Sequence, residues 1–79
     1  MIEEKDLTKL EPDSSGVIKE IGGGERITAR LNSMGLRQGK KIKKISSHFW
    51  RGPQTVEVDG MKLAVGFGTA KKIIIQVEK

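Results

Sequence analysis

Residues 30–39 constrain the fold more than any other stretch, because they combine the signature of a helix end with the start of a strand. Ile27, Leu31 and Met34 recur at the spacing of one stripe of an amphipathic helix. Gly35 follows directly, at the position where helices commonly end in a left-handed residue that glycine adopts without steric cost. The pattern predicts an amphipathic helix that ends just before Gly35.

The same stretch predicts how the helix end is held. If Gly35 is the left-handed residue, Leu31 and Leu36 occupy the two positions whose side chains touch in a Schellman motif. Gly39 then separates the helix end from a run of apolar and basic residues. These residues therefore predict a helix end, a hydrophobic contact and the beginning of a strand.

The totals indicate one small domain at residues 1–79. A core of this size leaves a stability margin of about 3–5 kcal/mol, so most large apolar side chains must be buried. The absence of cysteine excludes disulfides and thiolate metal sites. Because there is no run of about 18 apolar residues and residues 1–6 are too polar for a signal peptide, we expect a cytoplasmic protein without direct membrane insertion.

Charge is distributed unevenly along the chain. Residues 1–13 carry five acids and two bases, net −3, and residues 14–79 carry thirteen bases and five acids, net +8, which together give +5. Residues 37–51 contain six basic side chains and no acidic one. Such a patch attracts an acidic partner, whether a protein, a nucleic acid or a lipid headgroup.

Five short strands and one helix are predicted, which is a mainly-β architecture. The strands are expected at residues 17–21, 40–47, 55–58, 61–65 and 73–77, with the helix between the first and second strands. Residues 2–10 are expected to form one weak helical turn or a capping segment. Since closure removes exposed sheet edges, we predict a small closed barrel at residues 16–78, preceded by a lead segment at residues 1–15.

Alternation and turn chemistry predict which side chains face the core. A bulge in the second strand would let both Ile42 and Ile45 face inward. Asp59 and Gly60 supply a type I′ turn for a hairpin. The other inward side chains are expected to be Val56, Val58, Met61, Leu63, Val65, Ile73, Ile75 and Val77.

A wider set of residues forms a family signature. It comprises Gly22-Gly23, Arg30-Leu31, Met34-Gly35-Leu36, Gly39, Gly52-Pro53, Val56, Val58, Gly60, Ala64, Ala70 and Ile73. This signature resembles that of the FeoA family, the small cytosolic partners of the bacterial ferrous iron transporter FeoB. The resemblance implies an SH3-like barrel that supports or regulates iron uptake by contacting FeoB. No cofactor is expected.

Catalytic and metal chemistry are not indicated by the sequence. Residues 35–41 approach a phosphate-binding loop, but the two glycines are separated by three residues rather than four, and Lys41 cannot ligate magnesium. His48 is the only histidine, and its basic and aromatic neighbours disfavour an iron site. Because no Ser-His-Asp or Cys-His arrangement is recognisable, we expect a protein that is not an enzyme.

Partner binding is the favoured function. The predicted contact residues are Arg30, Leu36, Phe49, Trp50 and Arg51. Two aromatic rings beside an arginine are typical of interface anchors, although either ring could instead fold over the end of the barrel. The arginine on the helix could contact an acidic partner or be merely solvated, and the leucine could serve the helix end alone.

Two alternatives stay open from the sequence. Lys40, Lys41, Lys43 and Lys44 lie near two aromatic residues in the sequence, so they could form a surface that binds nucleic acid by backbone contacts and base stacking. The resemblance also implies a third possibility, because the same fold occurs as a C-terminal regulatory domain in iron-responsive repressors. The short lead before the predicted barrel favours a separate protein.

Overall fold

The computed structural model describes residues 1–47 and 52–78 and contains one antiparallel sheet with two helices and a short 3₁₀ helix. The strands are β1 (Ile2–Asp6), β2 (Ser15–Ile21), β3 (Lys41–Ser47), β4 (Gln54–Val58), β5 (Met61–Val65) and β6 (Ile73–Glu78). The helices are α1 (Glu25–Ser33) and α2 (Phe67–Ala70), and the 3₁₀ helix is Leu7–Lys9. The prediction of a mainly-β fold is confirmed.

The strand order is β1-β6-β2-β3-β4-β5, so the sheet is not closed. Within residues 1–47 and 52–78, β1 pairs only with β6 and β5 pairs only with β4, so the described sheet has two free edges. The predicted closure is therefore wrong. Of these edges, β1 carries mostly charged side chains, which discourage pairing with another chain.

The sheet has six strands rather than the predicted five. β1 lies in the segment that was expected to form a weak helical turn or a capping segment, and the turn is present as the short 3₁₀ helix at Leu7–Lys9. Four of the five β1 residues are charged, so the segment has little strand propensity of its own. It forms a strand because β6 offers a partner in register, with Ile2 opposite Glu78 and Asp6 opposite Ile74. As a result, α1 lies between the second and third strands.

The core contains the inward sets of β4 and β6 together with one side of α1. Val56, Ile73 and Ile75 are fully buried, as predicted, and Val58 and Val77 are nearly so. The other buried apolar residues are Leu7, Leu10, Ile18, Leu31, Leu36, Ile42, Val65 and Ala70. Because two of these come from the 3₁₀ helix and the residue after it, the N-terminal segment is part of the core.

The end of α1 forms the predicted Schellman motif. Gly35 has a φ of 95°. The Leu36 N–H donates to the Leu31 carbonyl at 2.9 Å, and the Gly35 N–H donates to the Asn32 carbonyl at 3.0 Å. Both leucines are buried in the core cluster, and Ile27 and Met34 pack against it. Gly39, at a φ of 91°, then makes the turn into β3.

The β4–β5 hairpin is confirmed, with one difference. Asp59 and Gly60 both have positive φ values, 53° and 79°, as a type I′ turn requires. Val65 is buried and Leu63 is partly buried, as expected. Met61 was predicted to face inward, but its side chain is 55% exposed. It lies beside the turn at the tip of an edge strand, where there is little core to cover it.

The predicted irregularity in β3 is present, but the buried residue differs from the one expected. The β3–β4 register shifts between Lys44 and Ser46. Ile42 is buried as predicted, whereas Ile45 is only partly buried and Lys44 is 0% exposed. The irregularity follows Lys44, so simple alternation from Ile42 places the lysine inward and the isoleucine off the core face.

Candidate protein-binding surface

Arg30 lies on the exposed side of α1, together with Arg26 one turn earlier. Within residues 1–47 and 52–78, neither arginine has a carboxylate within salt-bridge distance. A guanidinium with no carboxylate partner keeps its full hydrogen-bonding capacity for a partner molecule. The structure thus leaves two cations available on this side of the helix.

Leu36 does not belong to the exposed surface. Its side chain is 0% exposed and lies in the core, beneath the Schellman turn. The prediction that Leu36 also touches a partner is therefore not supported by this structure. Its position at the helix end explains the residue fully, because this position packs on the helix in a Schellman motif.

The aromatic segment of the prediction lies outside the described residues. His48, Phe49, Trp50 and Arg51 have no described structure, and their predicted roles stay predictions. The chain on the far side is described: Gly52 and Pro53 lead into β4. The buried Gln54 side chain donates to the Gly52 carbonyl at 3.1 Å, which holds this end of the connection close to the sheet.

The four lysines within residues 40–44 lie in three different environments. Lys41 and Lys43 are exposed on β3. Lys40 is engaged, because its Nζ lies 2.8 Å from the Asp59 carboxylate. Lys44 is buried and faces the opposite side of the sheet from its neighbours. The surface patch is therefore less basic than the sequence alone indicates.

Lys44 is a structural residue that the sequence did not reveal. Its Nζ donates to the Leu7 and Leu10 carbonyls, each at 2.9 Å. Burial lowers the pKa of Lys44, and the nearby Asp6 carboxylate opposes that shift. The two carbonyls belong to the 3₁₀ turn, so the lysine ties the N-terminal segment to β3. The sequence held one signal for this burial: Lys44 lies two residues after the inward-facing Ile42, and residues two apart share one face of a strand.

A small cleft lies beside Arg30. It has a volume of about 180 Å³ and runs between the end of α1, the end of β5 and α2. Its other lining residues are Leu31, Met34, Ala64, Val65, Gly66 and Thr69. The cleft therefore combines apolar side chains with one cation, Arg30, and lies next to the free β5 edge of the sheet.

Two larger grooves cross the outer face of the sheet. Their volumes are about 460 and 480 Å³, and Ser15 and Lys41 line both of them. Ile2 and Val17, two of the exposed large apolar residues, line the first groove. The second groove mixes two lysines, Lys41 and Lys43, with three carboxylates, so neither sign of charge dominates it.

The described residues offer no metal centre. Across residues 1–47 and 52–78, no group of three His, Cys, Asp or Glu side chains comes together as ligands. The glycine-rich turn at residues 35–41 leads from a helix into a strand, which is the reverse of a phosphate-binding loop. In the same part of the chain, no helix is long and apolar enough to cross a membrane.

Comparison with known proteins gives close matches in sequence and structure. A candidate Fe(2+) transport protein A of Methanocaldococcus jannaschii is 35% identical over 60 residues, which span 76% of this chain and 71% of that protein. A crystal structure of an iron uptake regulatory protein, FeoA, matches with a TM-score of 0.83 at 30% identity, covering 92% of this chain and 95% of that one.

Two further structures define the range of the fold. The zinc complex of Stenotrophomonas maltophilia FeoA, described as a prokaryotic SH3 domain protein, matches with a TM-score of 0.74 at 20% identity over 90% of this chain and 93% of that one. T. acidophilum IdeR matches with a TM-score of 0.82 at 30% identity, over 95% of this chain but 34% of its own. The predicted SH3-like fold is confirmed, and it also occurs as about a third of a larger protein.

The sequence profile of the FeoA domain matches residues 5–77, nearly the whole chain. The match includes the Schellman helix end and the β4–β5 hairpin described above. The chain therefore belongs to the FeoA family.

Proposed function

We propose that this protein is a non-enzymatic accessory module of ferrous iron uptake that acts by binding the cytosolic part of a FeoB-type transporter. The observation that carries the proposal is the family match over residues 5–77. The S. maltophilia relative is described as a candidate activating factor of ferrous iron transport, which supports the same role here. Iron would then be the transporter's cargo, and this chain would act on the transporter without chelating the ion.

The proposed contact surface combines the exposed arginine of α1 with the aromatic segment. Arg30 is exposed and has no carboxylate partner among the described residues. Phe49, Trp50 and Arg51 join it in the proposal as aromatic and cationic anchors of the kind that dominate protein interfaces. A net charge of +5 favours an acidic surface on the transporter.

The direct test is a titration of the FeoB cytosolic GTPase domain into this protein, followed by the fluorescence of Trp50, the only tryptophan. The titration is made at low and physiological salt, with GTP and GDP analogues. We expect saturable binding that persists at physiological salt. Absence of binding under all of these conditions would contradict the proposed contact with the GTPase domain.

Variants locate the contact within the proposed surface. Trp50→Ala and Arg51→Ala should each weaken binding by about tenfold or more if these residues are interface anchors. Binding of the variants is measured by calorimetry, because the first one removes the fluorophore. Lys71→Ala is the control, since Lys71 is an exposed cation next to α2 and outside the proposed surface. Unchanged affinity in both test variants would remove the two residues from the interface.

Nucleic acid is the competing partner, and RNA is titrated in parallel. The structure weakens this alternative because Lys44 is buried and Lys40 is engaged with Asp59. An RNA complex whose affinity falls steeply with salt would nevertheless favour it. RNA binding without any binding to the GTPase domain would replace the proposed function.

A further inference from the structure

The two free edges of the sheet differ in how well they resist pairing with another chain. β1 carries Glu3, Glu4 and Asp6 beside Lys5, and charged side chains on an edge strand discourage strand addition. β5, with the sequence MKLAV, carries a single charge, Lys62. The β5 edge therefore lacks the charged protection that the β1 edge has.

The hairpin geometry determines which backbone groups point away from β5. A two-residue type I′ turn makes its flanking residues, Val58 and Met61, a hydrogen-bonded pair. Such pairs alternate along an antiparallel ladder, so the N–H and C=O groups of Lys62 and Ala64 point toward the open edge. In the part of the chain that the structure describes, neither residue has another backbone hydrogen bond. Four backbone groups are thus available to an added strand.

A binding cleft continues from this edge. Ala64 and Val65 line the 180 Å³ cleft, and Leu31 and Met34 contribute apolar surface to it. Arg30 stands at the same cleft. A strand added along β5 would run toward this cleft, where one apolar side chain could be accommodated.

The charges at the edge favour an acidic occupant. Within residues 1–47 and 52–78, neither Lys62 nor Arg30 has a carboxylate within salt-bridge distance. Both side chains are exposed. A carboxylate on the incoming segment would therefore find a cation without displacing an existing ion pair.

We propose that the β5 edge binds an extended acidic segment of the transporter's cytosolic part by strand addition, with a carboxylate of that segment at Arg30. Main-chain hydrogen bonds to Lys62 and Ala64 provide affinity, and the cleft and Arg30 provide specificity. The proposal rests on the proposed function, because it names the surface and the binding mode through which this module would contact the transporter.

The first test removes one edge donor. Ala64→Pro eliminates an N–H that points away from β4, at the kind of edge position where proline is tolerated. We expect binding of the transporter's cytosolic domain to weaken by at least about tenfold, because the variant loses a main-chain hydrogen bond and the proline ring obstructs the edge. Ala64→Ser is the matched control, because it keeps the N–H and adds little volume at the cleft that Ala64 lines. Equal affinity of the proline and serine variants would overturn the proposal.

The second test compares two arginines on the same helix. Arg30→Glu should weaken binding by about tenfold or more, whereas Arg26→Glu, at an exposed position that does not line the cleft, should change it much less. These two variants test the proposed contact of Arg30 even if Ala64→Pro fails to fold. Equal loss in both variants would mean that Arg30 acts through general charge alone, and would overturn the assignment of the carboxylate to Arg30.

Hydrogen exchange separates failure of this proposal from failure of the proposed function. In the complex with the wild-type protein, the amides of Lys62 and Ala64 should exchange at least about tenfold more slowly than in the free protein. Binding without slower exchange at these amides would overturn the edge proposal and leave the proposed function standing. No binding by the wild-type protein would overturn both. Protection that depends on this protein's own concentration would instead assign the edge to a second copy, whose β1 strand is also acidic.

Discussion

The end of α1 and the N-terminal segment are both packed into the core, but different kinds of interaction hold them. At the helix end, the Leu36 N–H bonds the Leu31 carbonyl at 2.9 Å, five residues back along the chain. At the N-terminal segment, the Leu7 and Leu10 carbonyls accept from Lys44, 37 and 34 residues away. The first arrangement is local and the second is long-range. A motif whose hydrogen bonds close within one helical turn can therefore be identified from the sequence, whereas a hydrogen bond between distant segments cannot.

Lys44→Ala should be the most damaging single change. It removes the Lys44 donor from the Leu10 carbonyl and leaves the Leu7 carbonyl with the Leu10 N–H alone. It also opens a cavity where a long side chain lay, and the two losses together cost about 3–5 kcal/mol. That is comparable with the whole stability of a domain of this size. Urea denaturation measures the loss, with Lys43→Ala as the exposed neighbouring control, which should change stability by less than about 0.5 kcal/mol. Similar stability of both variants would contradict the structural role of Lys44.

Gly35→Ala tests the local side of the comparison. At a φ of 95° the new methyl group has open space around it, so the cost is backbone strain alone, about 1–2 kcal/mol. The matched control is Gly68→Ala in α2, where φ is not positive and space is also open. That variant should be neutral or slightly stabilising. Thermal unfolding of the two variants provides the measurement, and equal melting temperatures would argue against a left-handed requirement at Gly35.

Asp6→Ala tests the local part of the N-terminal segment. The Asp6 carboxylate caps the 3₁₀ helix by accepting from the Thr8 N–H at 2.9 Å and from the Thr8 hydroxyl. Its removal should cost about 1 kcal/mol, the usual value of such a cap. Asp6→Asn keeps an acceptor and should lose less. The free energy of unfolding in urea distinguishes the two, and an Asn variant as unstable as the Ala variant would show that charge, rather than capping, matters.

The smallest expected effect is a pH dependence due to Lys44. Burial lowers its pKa from the ordinary value of 10.5 in the folded protein, so between the folded and unfolded pKa values the unfolded chain binds more protons. The stability of the wild-type protein relative to Lys44→Met should therefore rise as pH increases toward 10.5. Taking the difference between the two proteins removes the contributions of Lys5 and Lys19, whose pKa values are raised by Glu3 and Glu4. A difference that stays flat or falls with pH would contradict the lowered pKa.

The candidate site shows the same division between local and long-range information. Arg30 was identified from the sequence because a basic residue on the polar side of an amphipathic helix is a local pattern, and the structure leaves it exposed. Leu36 was proposed for the same surface but is fully buried. The cleft beside Arg30 could not be predicted, because its walls come from α1, β5 and α2, which only the folded chain brings together.

Features whose interacting groups lie within a few residues of each other could be predicted from the amino-acid sequence alone. The Schellman helix end, the Asp59-Gly60 turn and the inward set of β6 follow from backbone conformations and alternation that each short stretch requires. Three other features depend on contacts between distant parts of the chain: β1 joins the sheet, the described sheet is open, and Lys44 is buried. The physical reason is that a charged strand or a buried lysine becomes favourable only when distant groups supply its hydrogen bonds.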